Sequence, residues 1–162
     1  MERFTHVDEE GRVRMVDVSN KVVSRRMARA IGLVEMSADV VEMIRDGKIP
    51  KGNPLEAARL GGIMAAKKTA ELIPLCHPLI LDLIEVQCQP SERGISIEAR
   101  VVAEGRTGVE MEALTAVSVA ALVLYDMCKS ADRGMTISEI RLVEKAGGRS
   151  GHFINPPEEP KH

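Results

Sequence analysis

The apolar segment 113–124 constrains the fold of this chain more than any other feature. It contains no charged residue, and its only polar side chains are those of Thr115 and Ser118. This length and alanine content predict a helix that is buried on nearly every side. Charged residues flank the segment at both ends: Glu110, Glu112, Asp126 and Lys129.

The acidic residue at the back end of this helix needs a functional explanation. Acids near a helix N-terminus and lysines near a C-terminus complement the helix dipole, so capping explains Glu110 and Lys129 as well as function does. Asp126 lies near the C-terminus, where a negative charge opposes the dipole. Because Asp126 and Lys129 are three positions apart, they project from the same side of the helix.

Length and composition indicate one globular domain. The chain has 162 residues, of which 44% are hydrophobic and 28% charged, so we expect a single domain with a substantial core. A net charge of -2 gives no general attraction to nucleic acids or anionic membranes. With two Phe, one Tyr and no Trp, the chain offers few platforms for base stacking, which disfavours an RNA-binding module.

The cysteines and the N-terminus favour a cytoplasmic protein. Cys76, Cys88 and Cys128 are odd in number and lack framework spacing, so no disulfide scaffold is expected. Together with His77 they form no recognisable zinc ligand set, so we predict no metal site. The chain opens without an apolar signal region, and no uncharged run approaches membrane-spanning length.

Hydrophobic periodicity and turn signals predict alternating strands and helices. Strands are expected at 26–36, 79–89, 94–104 and 135–145. Helices are expected from the cap at Ser37 to Gly47, from Asn53-Pro54 to about Leu72, and over the apolar segment. This order is a split βαβ pattern. The predicted fold class is therefore α+β and ferredoxin-like, with an antiparallel four-stranded sheet and helices packed on one face.

The predicted organisation has three parts. Residues 1–24 form an extended N-terminal arm with a turn near 9–11, residues 25–153 form the single ferredoxin-like domain, and residues 154–162 form a disordered tail. Inside the second helix, Gly61-Gly62 costs helical stability. We therefore expect a neighbour to approach the backbone closely there.

Basic residues in loops favour an anionic small-molecule partner. Lys51 lies in a Pro-Lys-Gly loop just before a helix start, where free backbone N–H groups and the dipole attract anions. The loop 147–151, Gly-Gly-Arg-Ser-Gly, is a weaker candidate for a phosphate cradle, because it lacks the spacing of a P-loop. Between two prolines, His77 lies in a stiff turn, where a packing role and a functional role are equally good explanations.

Five motifs resemble those of the molybdenum cofactor biosynthesis protein C family, the cyclic pyranopterin monophosphate synthases. They are Met-Val-Asp-Val-Ser at 15–19, Leu-Ile-Pro-Leu-Cys-His-Pro-Leu at 72–79, Thr-Gly-Val-Glu-Met-Glu-Ala-Leu-Thr at 107–115, Tyr-Asp-Met-Cys-Lys at 125–129 and Lys-Ala-Gly-Gly-Arg-Ser-Gly at 145–151. The resemblance runs from about Thr5 to Phe153, nearly the whole chain.

The resemblance implies a lyase that converts a cyclised dihydro-GTP, with its ribose bonded to the purine C8, into cyclic pyranopterin monophosphate and diphosphate. It implies that Lys51 and Lys129 are general acid/base lysines and that Asp126 is the catalytic acid. The substrate-binding residues that it implies are Leu75, Cys76, His77, Glu110, Met111, Glu112, Arg26 and Lys145. It also implies a homohexamer built as a trimer of dimers, and it leaves open whether Mg²⁺ accompanies the triphosphate.

These residue types suit that chemistry. Opening the imidazole-derived ring and building a pyrazine ring takes several proton transfers, which need acids and bases within hydrogen-bond reach. Cations stabilise the departing diphosphate. The alternative is a non-enzymatic ferredoxin-like module that senses a nucleotide or a pterin-like metabolite, which would use the same basic loops without needing Asp126 beside Lys129.

Overall fold

The computed structural model describes residues 7–8 and 10–155. Nine elements follow in chain order: β1 (Ser24–Glu35), α1 (Ala38–Arg45), α2 (Pro54–Lys67), α3 (Thr69–Leu72), β2 (Leu83–Ser91), β3 (Gly94–Gly105), α4 (Glu110–Cys128), β4 (Thr136–Ala146) and β5 (Phe153–Ile154).

The strands form one sheet in the order β2-β3-β1-β4-β5, and every neighbouring pair is antiparallel. The α+β, ferredoxin-like prediction is confirmed, with one addition. Where the prediction started a disordered tail, Ile154 instead pairs with Glu144 in a fifth, two-residue strand. The remainder of the predicted tail, 156–162, lies outside the described residues.

The central helix α4 forms the core with one face of β3 and β1. Alternate β3 residues are buried against the helices: Ile95, Ile97, Ala99, Val101 and Ala103. Small side chains on α4, such as Ala113, Ala116 and Ala120, are fully buried. By length and composition α4 would also qualify as a membrane-spanning helix, and half of the qualifying window is buried inside the protein.

The second helix begins where the sequence predicts and breaks before its predicted end. The Asn53 side chain accepts hydrogen bonds from the backbone N–H groups of Leu55 and Glu56, and Pro54 fills the first helical position. The chain leaves the helix at Lys68 and re-enters it as the short α3. Thr69 Oγ1 donates to the Ala66 carbonyl at 3.0 Å, which holds the two pieces together.

The glycine pair in α2 marks the predicted close approach to α4. A Cβ on Gly62 would lie 2.9 Å from the Ala116 carbonyl oxygen, and one on Gly61 would lie 2.8 Å from Val123 Cγ2. These distances are shorter than van der Waals contact. The backbones of α2 and α4 therefore come together only because both positions lack a side chain.

The arm that precedes β1 has little regular structure. An isolated bridge joins Val7 to Val13 around the predicted turn, where Gly11 N donates to the Asp8 carbonyl at 3.1 Å. The Arg106 side chain anchors the other end of the arm, because its Nε donates to the Lys21 carbonyl at 3.1 Å. Residues 1–6 and 9 of the predicted arm lie outside the described residues.

Candidate functional site

A cleft of about 880 Å³ opens at the front end of α4. Its walls come from the arm, the start of β1, the 75–79 segment, the β3–α4 loop, the first turn of α4 and the segment 145–150. All eight substrate-binding residues implied by the resemblance line it: Arg26, Leu75, Cys76, His77, Glu110, Met111, Glu112 and Lys145. The fold therefore gathers residues separated by more than a hundred positions in sequence.

Five basic side chains line this cleft, against two acidic ones. The basic residues are Lys21, Arg26, Arg106, Lys145 and Arg149, and the acidic residues are Glu110 and Glu112. A concave site with this excess of cations attracts an anion of several charges. Sequence reasoning had not selected Lys21 or Arg106 as site residues, because neither lies in a distinctive turn or in a motif that implied a role.

Arg26 is braced by the loops on both sides of it. Its Nε donates to the Gly105 carbonyl and its Nη2 to the Arg106 carbonyl, both at 3.3 Å. On the other side, a Cβ on Gly148 would clash with the Arg26 guanidinium. Since Gly148 has a φ of +75°, this position favours glycine for its conformation as well as for space.

A second cation, Lys145, reaches the start of α4. Its Nζ lies 2.8 Å from Glu110 Oε1, and both side chains are less than a third exposed. The pair joins the penultimate residue of β4 to the first residue of α4. Consequently, this ion pair fixes the position of the start of α4 relative to the sheet, beside the cleft.

Glu112 is the buried acid of the cleft. Only 4% of the residue is exposed. Burial raises the pKa of its carboxyl group, and the nearby Glu110 adds to that effect. A carboxyl group with a raised pKa can hold a proton closer to neutral pH than an exposed glutamate does, which suits proton exchange with a ligand.

A turn presents the Leu75–His77 tripeptide to the cleft. Cys76 N donates to the Ile73 carbonyl at 3.1 Å, closing a turn around Pro74, and the three side chains are half-buried. Burial and the charge of Glu112 raise the pKa of the Cys76 thiol. The thiol is therefore held in its neutral form, which favours a role in packing and contact over nucleophilic attack.

The three proposed catalytic residues form a separate cluster at the back end of α4. Lys51 Nζ lies 3.0 Å from Asp126 Oδ2 and donates to the Asp126 carbonyl at 2.8 Å, and Lys129 Nζ lies 2.7 Å from Asp126 Oδ1. Hydrogen bonds from Lys129 and Lys51 lower the pKa of Asp126. All three side chains are exposed to solvent.

The acid–amine pair expected from the sequence is therefore present, and it lies away from the cleft. Lys51, Asp126 and Lys129 are not among the residues that line the cleft. Within α4, Glu112 and Asp126 are separated by 14 positions (126 minus 112), which corresponds to roughly 21 Å along a helix. In one chain, the residues implied to bind substrate thus lie near the front end of α4, and the residues implied to act as acids and bases lie near its back end.

The described residues contain no group of three or more His, Cys, Asp or Glu side chains placed to hold a metal ion. The three cysteines are free thiols, with Cys128 buried in the core. The charged residues that line the cleft are mainly cations, which repel metal ions rather than bind them.

Fold and site together define an α+β protein with a cleft that is lined by an excess of basic side chains. A profile of the MoaC family matches residues 15–148. The chain is 58% identical over 156 residues to a cyclic pyranopterin monophosphate synthase of Desulforapulum autotrophicum, covering 95% of this chain and 96% of that protein. A protein of the same name from Thermomicrobium roseum is 54% identical over 164 residues, covering 100% of this chain and 99% of that protein.

The chain belongs to the MoaC family. The resemblance predicted from its motifs is confirmed. Since the relatives are synthases that match over nearly their whole length, the chain is an enzyme, of the lyase class, rather than a sensing module.

Proposed function

We propose that this enzyme acts in molybdenum cofactor biosynthesis and converts (8S)-3',8-cyclo-7,8-dihydroguanosine 5'-triphosphate into cyclic pyranopterin monophosphate, releasing diphosphate. The observation that carries the proposal is the cleft, which unites all eight implied binding residues and adds further cations. A triphosphate is a multiply charged anion of the kind that such a cleft attracts.

The cations have two tasks in this reaction. They bind the triphosphate in the ground state, and they stabilise the diphosphate as it leaves. A ribose hydroxyl attacks the α-phosphorus and gives its proton to a general base, the bond from that phosphorus to the bridging oxygen breaks, and diphosphate departs with the electron pair of that bond. Arg26 is braced in advance by two backbone carbonyls, so little reorganisation is needed when this charge develops.

The ring rearrangement is assigned to the lysine–aspartate cluster. In this proposal Lys51 and Lys129 exchange protons with the purine-derived ring as general acid and base. Asp126, whose pKa both lysines lower, stays ionised and orients the two amines instead of donating a proton itself. Contacts of 3.0 Å and 2.7 Å to its two carboxylate oxygens support the orienting role. Such positioned groups contribute about two to four orders of magnitude in rate.

A second copy of the chain brings the two clusters into one site. About 21 Å of helix separates them within one chain, more than one small molecule spans. Two α4 helices packed antiparallel about a twofold axis would place the front end of one beside the back end of the other. The helix layer offers exposed apolar side chains for this contact, including Leu122 (58% exposed), Met64 (60%) and Leu60 (47%).

The remaining features of the proposal concern assembly and environment. We propose that the protein is a homohexamer, built as a trimer of these dimers. We also propose that it acts in the cytoplasm, where its three free cysteines stay reduced. In this proposal no tightly bound metal is required, and any Mg²⁺ that takes part is carried by the triphosphate. Light scattering measures the number of subunits directly.

Incubation of the purified protein with the cyclised substrate tests the activity, with diphosphate and the cyclic phosphate product as readouts. A protein that binds the substrate and releases no diphosphate would contradict the proposal.

Mixing two inactive variants tests the shared site. Glu112→Ala removes a front-end residue and Asp126→Ala a back-end residue. Co-refolded mixtures should regain up to about a quarter of wild-type activity, because half of the random dimers hold one intact site. If each pocket belongs to a single chain, the mixture stays inactive.

A further inference from the structure

The loop 147–151 is a wall of the cleft that is only lightly held by its own backbone. One backbone hydrogen bond closes it, from Gly151 N to the Gly148 carbonyl at 3.3 Å. The loop nevertheless controls an important contact, because Gly148 packs against the Arg26 guanidinium. A displacement of the loop would therefore release one side of Arg26 and move Arg149, which also lines the cleft.

The hairpin that carries this loop has a very short second strand. In β5, Phe153 pairs with Lys145 and Ile154 with Glu144, and both β5 residues are exposed. Beyond them, Asn155 N donates to the Val143 carbonyl at 2.8 Å. Two residue pairs contribute little to the stability of a sheet edge, so side-chain contacts across the hairpin matter for the position of the loop.

One side-chain pair joins the two arms of the hairpin next to the loop. His152 Nε2 lies 2.9 Å from Glu144 Oε1. His152 directly follows the last loop residue, while Glu144 precedes the cleft residue Lys145 on β4. The pair thus fixes the C-terminal end of the loop to the strand that supplies its N-terminal end.

Charged side chains from three neighbouring strands form a series of contacts that ends at His152. Glu144 faces it from β4, and the other oxygen of Glu144 accepts from Arg29 Nε on β1 at 3.2 Å. Arg29 in turn bonds Glu98 on β3 through Nη1 at 3.4 Å. The hydrogen bond from His152 lowers the pKa of Glu144, and the one from Arg29 adds to that effect. Histidine is the side chain that ordinarily changes charge between about pH 5 and pH 8.

We propose that His152, acting through Glu144, is a positioning residue for the cleft: its protonated form holds the loop 147–151 against Arg26, and its deprotonation loosens the loop and weakens substrate binding. His152 does not line the cleft and takes no part in the chemistry. The effect on the reaction rests on the proposed function, whereas the effect on the loop does not.

Two substitutions separate charge from shape. His152→Arg keeps the positive charge at every pH, and His152→Gln keeps a hydrogen-bond donor without the charge. Glu85→Gln is the matched control, because it breaks the Arg100–Glu85 pair (3.0 Å) on the same sheet, away from the loop. All four proteins are compared at pH 6 and at pH 8.

Hydrogen exchange of the Gly151 and Asn155 amides, which donate to the Gly148 and Val143 carbonyls, measures the loop without any reaction. At pH 6 the wild type should exchange as slowly as His152→Arg; at pH 8 it should exchange about two to five times faster than His152→Arg, the range that an exposed ion pair supplies. His152→Gln should resemble the wild type at pH 8 after correction for intrinsic rates. A ratio of wild type to His152→Arg that does not change with pH overturns the proposal.

Kinetics of diphosphate release measure the consequence. From pH 6 to pH 8, KM of the wild type should rise about two- to fivefold relative to that of His152→Arg, with the same kcat for both. Glu85→Gln should follow the wild type. A change in kcat alone overturns the positioning role. If no variant, nor the wild type, releases diphosphate, the proposed function fails and the exchange data still decide the role of His152.

Discussion

Lys51 Nζ donates to the backbone carbonyl of Asp126 at 2.8 Å and lies 3.0 Å from its carboxylate. The two residues are 75 positions apart in sequence, and both contacts fix the lysine on the last turns of α4. Lys129 Nζ contacts the other carboxylate oxygen, so Asp126 sets the distance between the amines of Lys51 and Lys129. This arrangement places two proton carriers on one small surface, as a multistep proton transfer requires.

Lys51→Ala and Lys129→Ala should each lower turnover by between about two and four orders of magnitude while leaving the fold intact. Both side chains are exposed, so their removal costs the fold little. Rates of diphosphate release and circular dichroism measure the two effects. Lys48→Ala is the control, because Lys48 forms a comparable exposed pair with Asp46 (2.7 Å) outside both clusters. Near wild-type rates in well-folded Lys51→Ala and Lys129→Ala would contradict the assignment.

Glu112→Gln should stabilise the fold at neutral pH while it impairs activity. In the wild type, burial raises the pKa of Glu112 above its ordinary value of 4.5. The native state therefore binds the proton more tightly than the unfolded chain does, and stability falls as pH rises from 4.5 through the raised pKa. A neutral glutamine avoids that loss. Urea unfolding at several pH values should show an advantage for the variant that grows with pH and then levels off.

Glu71→Gln is a suitable control for this pH series, because Glu71 is exposed on α3. The difference in unfolding free energy between Glu71→Gln and the wild type should change little with pH. If the gain in unfolding free energy of Glu112→Gln is equally independent of pH, the carboxyl group of Glu112 in the wild type has an ordinary pKa, and the prediction is wrong.

Gly62→Ala should destabilise the protein by about 1–3 kcal/mol, even though alanine is the better helix former. The added Cβ would lie 2.9 Å from the Ala116 carbonyl oxygen, which is backbone inside α4 and cannot move aside cheaply. Urea unfolding measures the effect. At Gly134 the nearest atom to an added Cβ is the flexible Asp132 Oδ1, at 3.2 Å, so Gly134→Ala should be close to neutral. A stabilised Gly62→Ala would mean that α2 and α4 can separate freely.

Purified protein should contain no stoichiometric zinc, and activity should survive dialysis against a chelator and return of Mg²⁺. Among the described residues, no three His, Cys, Asp or Glu side chains are arranged as ligands. Elemental analysis decides the first point and diphosphate release the second. Zinc at one ion per chain, with activity lost on its removal, would overturn this expectation.

The sequence predicts the elements best where local chemistry alone sets them. The Asn53-Pro54-Glu56 start of α2 is correct to the residue, because the cap bonds are formed within four residues. The predicted start of the second strand at 79 is too early, since β2 begins at Leu83. There, the Asp82 side chain accepts from Glu104 N at 2.8 Å, and this contact with a distant strand cannot be read from local pattern.

The residues of the candidate site were likewise predictable only in part from the sequence. Motif resemblance predicts the eight cleft residues and the three residues of the back-end cluster, and the fold assembles both groups. It does not select Lys21 or Arg106, because the course of the arm depends on one long-range contact, from Arg106 Nε to the Lys21 carbonyl. An extended arm without periodicity carries no local signal of the surface on which it lies.

The central helix also has a consequence for inhibition. Because α4 is one continuous helix from Glu110 to Cys128 and its four alanines are buried in the core, no loop movement within one chain can shorten the distance between its ends. In the proposed dimer, only the packing of helix against helix sets the distance between the cleft of one subunit and the amines of the other. A compound that wedges between Leu122 and Met64 and their counterparts would then stop turnover while every polar side chain of the site stayed in place.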